Sequence, residues 1–140
     1  MGIKVGMVGV GAFAQSFIPL FTAHPLVDQI TLCDLDAEKL TENAAKHQIN
    51  DTSPSLDHLI STDVDAVAVI TQNWLHAPQA VQALRAGIHV YSAVPTGVTQ
   101  DEITELVKTV EETGQIYMIG ETSYYYPGVV YCRKQHEQGA

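Results

Sequence analysis

Basic residues are scarce in this sequence. Seven Lys+Arg stand against sixteen Asp+Glu, giving a formal net charge of −9. Gripping nucleic acid through its phosphates needs a basic footprint, so nucleic acid is not an expected partner. The basic tract that would hold a chain on an anionic membrane is missing as well. No apolar run reaches the ~18 residues of a membrane-spanning helix. Cysteine is rare: Cys33 and Cys132 lie far apart, with no C-x-x-C and no His/Cys cluster. A zinc site therefore has no support, and His24, His47, His58, His89 and His136 lack metal-ligand spacing. Two reduced thiols in a cytoplasmic protein fit this usage.

What the sequence has in quantity is apolar side chains, 46% of 140 residues. A chain of this size buries roughly 68–70% of its unfolded surface, enough for one domain with a proper core. Disordered chains are poor in the aliphatic residues abundant here.

Strand-like and helix-like segments alternate. Ile3 to Val10 is an apolar, β-branched run that reads as a buried strand. Ala14, Phe17, Ile18 and Phe21 follow at helical spacing, up to His24-Pro25. Gln29 to Cys33 reads as a second strand, and Asp36 as the cap of a helix to about His47. Ser53 and Pro54 read as N-cap and first position of a short helix carrying Leu56, Leu59 and Ile60. Ala66 to Ile70 is a third strand. Ala77, Ala80, Val81 and Leu84 then mark a helix closed by Gly87. Ile88 to Tyr91 is a strand. Thr99 and Glu102 form a capping box for a helix through Val110 that Gly114 ends, and Gln115 to Ile119 is the last strand. Strands apolar throughout are buried on both faces, and separated by helices they imply a parallel sheet. The expectation is an α/β fold with a doubly wound parallel sheet in three α/β/α layers, covering residues 1–120.

Gly9-Val10-Gly11-Ala12-Phe13-Ala14 fits G-x-G-x-x-A, follows the first strand and opens a helical segment. An acidic residue, Asp34, ends the second strand, twenty residues beyond Ala14. This is the setting of a dinucleotide-binding (Rossmann) loop. Gly9 permits the tight turn, Gly11 lets a pyrophosphate approach the backbone, and Ala14 allows close helix–strand packing. The helix N-terminus is expected to offer free N–H groups to the phosphates. The Asp34 carboxylate suits a ribose hydroxyl and repels a 2′-phosphate, and no Arg follows it. NAD is therefore favoured over NADP.

Two further stretches, Val64-Asp65-Ala66-Val67 through Thr71-Gln72-Asn73-Trp74-Leu75-His76, and Ala83-Leu84-Arg85-Ala86-Gly87-Ile88-His89-Val90, extend the pattern. With the glycine loop they resemble the N-terminal domain of the Gfo/Idh/MocA oxidoreductases over nearly the whole chain. The resemblance implies that Thr71, Gln72, Asn73 and His76 lie near the cofactor's ribose or nicotinamide. Asn73 can equally be a helix N-cap and His76 a surface residue of the first turn; Trp74 can line the pocket or cover the helix start. Tyr91-Ser92-Ala93-Val94-Pro95 occupies the place of the family's usual Glu-Lys-Pro. The family lysine commonly assists proton transfer, whereas Val94 can neither donate nor accept a proton. Ala93, Val94 and Pro95 are expected beside the cofactor, and no catalytic residue is assigned.

By the same resemblance, residues 121–140 are the crossover and first helix of a second, substrate-binding domain. Glu121 and Tyr124-Tyr125-Tyr126 then either face the nicotinamide pocket or pack where the domains meet. The expected function is hydride transfer between NAD and a sugar, polyol or similar secondary alcohol in a homo-oligomeric, cytoplasmic parent. A silent NAD-binding sensor and an NAD-dependent glycosidase are the alternatives.

Overall fold

Val5, Met7 and Val8 are almost fully buried, and the run Ile3–Val8 forms a strand, β1, that is paired on both sides. The structure is a computed structural model describing residues 2–139; Met1 and Ala140 lie outside them. Around β1 lie β2 (Val27–Cys33), β3 (Thr52–Ser53), β4 (Ala66–Val69), β5 (His89–Ala93) and β6 (Tyr117–Gly120). All pairings are parallel and the order is β3-β2-β1-β4-β5-β6. This is the doubly wound Rossmann order, and it reverses direction between β1 and β4.

Two apolar layers flank the sheet. On one face Met7, Leu32 and Ala68 pack with Ile18 of α1 (Ile18–Ala23) and Leu40 of α2 (Ala37–His47). On the other, Val8, Val67 and Val69 pack with Leu59 of α3 (Leu56–Ile60), with Ala80 and Leu84 of α4 (His76–Arg85), and with Leu106 of α5 (Gln100–Thr113). The Thr99–Glu102 capping box is formed, and Gly114 closes α5 in the left-handed region. The last helix, α6 (Pro127–Glu137), buries none of its residues. Among the described residues no helix is long and apolar enough to cross a membrane.

Three local expectations change. The helix after the glycine loop is broken into a 3₁₀ turn, Ala14–Ser16, and then α1. Pro19 is the cause: it lacks an N–H and its ring would clash with the carbonyl one turn earlier, so the helix restarts with Pro19 in its first turn. Gly11 therefore does not lead directly into the free N-terminus of a regular helix. Second, Ser53 is not the cap of α3 but the end of the short strand β3; Ser55 caps the helix by accepting the His58 N–H at 3.1 Å. A two-residue strand has no periodicity to read. Third, β2 and β5 are longer than the apolar runs that announced them, because Val27, across a register shift at Asp28, and Ser92 extend the pairing.

Candidate functional site

Gly9 has φ +92°, and a Cβ there would meet the Ile70 carbonyl. This crowding marks the switch point, where the ends of β1 and β4 diverge. The Gly9 N–H donates to the Cys33 carbonyl at 2.8 Å, tying the loop to β2. Nothing lies within 4 Å of where a Gly11 Cβ would be, so the space over that backbone is open. Ala14 is wholly buried beneath the loop. A cleft of about 670 Å³ opens here and is lined by Gly9, Gly11, Ala12 and Phe13 from one side. Cofactor pockets commonly fall between about 300 and 1,000 Å³.

Asp34 stands at the end of β2 in the same cleft. Its Oδ2 accepts the Val10 N–H at 3.0 Å and its Oδ1 accepts the Asp36 N–H at 3.0 Å. Each carboxylate oxygen retains acceptor capacity for a ligand hydroxyl. Asp36 caps α2 through the Lys39 N–H, and this bond, aided by the Lys39 ammonium, holds its carboxyl below the usual range. Lys39 Nζ is in turn 3.0 Å from Asp36 Oδ2. The nearest cation to Asp34 is thus already paired, and the charge of this end of the cleft stays negative.

Thr71 and Gln72 line the cleft at the end of β4, with the Thr71 hydroxyl donating to Gln79 Oε1 at 2.7 Å. The remaining expected residues are not brought to it. Asn73 opens a 3₁₀ turn, Asn73–Leu75, and does not cap α4. Trp74 in that turn is exposed. His76 is buried at 1% exposure, so a surface position does not describe it. Its Nδ1 lies 2.8 Å from the Pro95 carbonyl and its Nε2 3.0 Å from the Thr71 carbonyl. Both partners are acceptors, so a neutral ring donates to one of them only. The side chain clasps the loops after β4 and β5 from within. Ala93 is buried at the end of β5, and Val94 is partly exposed beside it.

The opposite wall of the cleft was not legible beforehand. Leu35, Ser55, Asp57, Pro78, Gln79 and Gln82 line it, with Gln82 Nε2 donating to Asp57 Oδ1 at 2.6 Å. In sequence, a polar helix face such as Gln79 and Gln82 reads as solvated surface. Two residues of the crossover segment have definite partners. Glu121 accepts the Ser123 N–H at 2.7 Å, which holds its carboxyl below the usual range and weakens it as a base. Tyr124 lies under the Arg133 guanidinium, 3.8 Å from its ring centre, and Tyr124–Tyr126 are exposed in this chain.

A family profile described as "Oxidoreductase family, NAD-binding Rossmann fold" (GFO_IDH_MocA) matches residues 3–121. A 2,7-anhydro-N-acetylneuraminate hydratase of Escherichia coli K12 is 33% identical over 138 residues, covering 98% of this chain and 36% of the relative. A glycosyl hydrolase family 109 protein of Saccharopolyspora erythraea is 35% identical over 123 residues, covering 79% of this chain and 26% of the relative. Among solved structures, the WlbA dehydrogenase of Bordetella pertussis in complex with NADH and UDP-GlcNAcA superposes with a TM-score of 0.93. It is 25% identical, and the match covers 99% of this chain and 43% of that one. The chain thus spans well under half the length of these similar proteins.

Proposed function

Since the chain belongs to the Gfo/Idh/MocA oxidoreductase family and is its NAD-binding Rossmann domain, we propose that the cleft beyond β1, β2 and β4 holds NAD with its pyrophosphate over Gly9–Ala14. Asp34 accepts hydroxyls of the adenosine ribose, Thr71 and Gln72 border the nicotinamide half, and the nicotinamide reaches beyond the cleft toward Ala93, Val94 and Pro95 at the end of β5. The observation that carries this reading is the meeting of the glycine loop and the Asp34 carboxylate at the switch point, joined by the Val10 N–H. Asp34 and Asp36, with Lys39 occupied, favour a free 2′-hydroxyl over a 2′-phosphate. His76 sets the spacing of the two loops.

The full-length protein, in this proposal, is a cytoplasmic homo-oligomer that transfers hydride between NAD and a secondary alcohol of a sugar or polyol. Residues 121–140 open its second domain, which brings the substrate. NAD supplies the hydride acceptor; the protein supplies position and proton transfer. Residues 93–95 carry no side chain that can take that proton, and we assign its carrier to the second domain.

A second reading has its own support. Relatives named as a glycosyl hydrolase and as an anhydro-sugar hydratase accompany a chain in which Val94 replaces the usual lysine. In that reading a sugar C–O bond is cleaved with water supplying the new hydroxyl and the proton, and NAD would supply a transient hydride acceptor with no net oxidation. Assays of the full-length protein separate the two. Dehydrogenase action converts NAD to NADH in step with alcohol consumed. The second reading requires a cleaved sugar with no net NADH, and absence of both with NAD bound leaves a silent sensor.

A further inference from the structure

The Gly9–Val10 and Val10–Gly11 peptides are both held from outside the glycine loop. The Val10 N–H goes to Asp34, and the Val10 carbonyl accepts a hydrogen bond from Gln15 Nε2 at 3.1 Å. Gln15 lies one residue past the G-x-G-x-x-A pattern, which asks for no amide there. Nε2 also donates to Asn43 Oδ1 at 2.5 Å, while Oε1 accepts from Lys46 Nζ at 2.8 Å and His47 Nε2 at 2.9 Å. Two N–H groups and two lone pairs thus meet four partners, the full capacity of an amide. Asn43, Lys46 and His47 share one face of α2, and Asn43 Nδ2 is itself fixed on the Lys39 carbonyl at 2.8 Å.

A trans peptide is planar, with its C=O and N–H pointing in opposite directions. Holding the Val10 carbonyl therefore fixes the direction of the Gly11 N–H. That N–H has no hydrogen-bond partner among the described residues, and Gly11 lines the cleft. The regular helix N-terminus that would otherwise orient the loop is absent, because α1 starts only at Ile18. We propose that Gln15 is a positioning residue for the phosphate loop: through Asn43, Lys46 and His47 it anchors the Val10 carbonyl to α2, and so aims the Gly11 N–H at the bound pyrophosphate. The inference rests on the NAD reading of the cleft.

Calorimetric titration of the 140-residue chain with NADH, ADP-ribose and adenosine tests it. Gln15→Met keeps shape and charge and removes all four bonds. It is expected to weaken NADH and ADP-ribose about five- to tenfold, the worth of one or so hydrogen bonds, and to leave adenosine, which has no pyrophosphate, unchanged. Asn43→Ala is expected to weaken NADH less, and to add nothing in the Gln15→Met background, since both act through one anchor. Unchanged NADH affinity, an equal loss for adenosine, or additive losses would overturn the assignment. If the unaltered chain binds neither NADH nor ADP-ribose, the cofactor reading falls and takes this one with it. If it binds both and Gln15→Met binds as well, only the role of Gln15 falls. Should Gln15→Met fail to give the melting transition of the unaltered chain, Gln15→Asn, one methylene short of Val10, takes its place with the same expectations.

Discussion

The Asp34 carboxylate accepts two backbone N–H groups from different loops, and a ligand hydroxyl would be its third partner. Its position after β2 was legible from spacing alone; its second task, holding Val10, was not, because a backbone bond across 24 residues leaves no mark on sequence pattern. The double role decides which substitution is informative. Asp34→Ala would loosen the loop along with the ribose site, whereas Asp34→Asn removes the charge and keeps one acceptor oxygen, enough for the Val10 N–H but not for the Asp36 N–H as well. Asp34→Asn should weaken NAD about tenfold, the scale of a hydrogen bond to a charged group, and narrow the preference over NADP. Parallel titrations with both cofactors check this; a preference that did not move would remove Asp34 from the ribose site.

Cys33, next in chain to Asp34, carries a pH prediction. Burial, and after it the Asp34 charge, push its thiol from 9.0 up to about 11. The folded state then holds the proton more tightly than the unfolded chain does. The stability this contributes is complete below 9.0 and is lost as pH rises toward about 11. Thermal melts of the unaltered chain should fall more steeply over that window than those of Cys33→Ala. Parallel slopes would show that the thiol is not so perturbed.

At the scale of elements, the sequence was most readable where one residue type has a single physical reason to be present. Thr99 and Glu102 announced the start of α5, and the chain at Gly9 does take the positive φ the motif requires. Reading failed where two signals competed. The apolar spacing of Ala14, Phe17, Ile18 and Phe21 suggested one helix, and Pro19 overrode it. His76 could be read as a surface residue because sequence does not report that a ring is buried between two carbonyls. The two glycines of the loop should now part company. Gly9→Ala forces a side chain into the positive-φ region against the Ile70 carbonyl and should cost about 1–3 kcal/mol of stability. Gly11→Ala meets nothing within 4 Å, so its stability should stay within about 0.5 kcal/mol. Its methyl group should nonetheless block the pyrophosphate and lower NADH affinity. Urea unfolding with cofactor titration separates the pair, and equal destabilisation by both would contradict the geometry.

Over the whole molecule, the class of sheet followed from strands apolar on both faces, and the burial of Met7, Leu32, Val67 and Val69 accounts for that pattern. Invisible beforehand was the wall of the cleft contributed by α3 and α4, whose polar residues face the sheet's carboxyl edge. The excess of acidic residues also takes on a local meaning. Around Lys39 two carboxylates, Asp34 and Asp36, outnumber one cation, so this end of the cleft is negative. The chain has one tryptophan, Trp74, in the turn after β4. This permits the most direct test of the central claim, that NAD occupies the switch-point cleft. Trp74 is excited while NADH is added to the chain, and sensitised NADH emission is recorded. The expected result is a saturable signal at one NADH per chain, displaced by ADP-ribose and weaker with NADPH. A folded chain that gives no transfer, or a signal ADP-ribose does not displace, would contradict it.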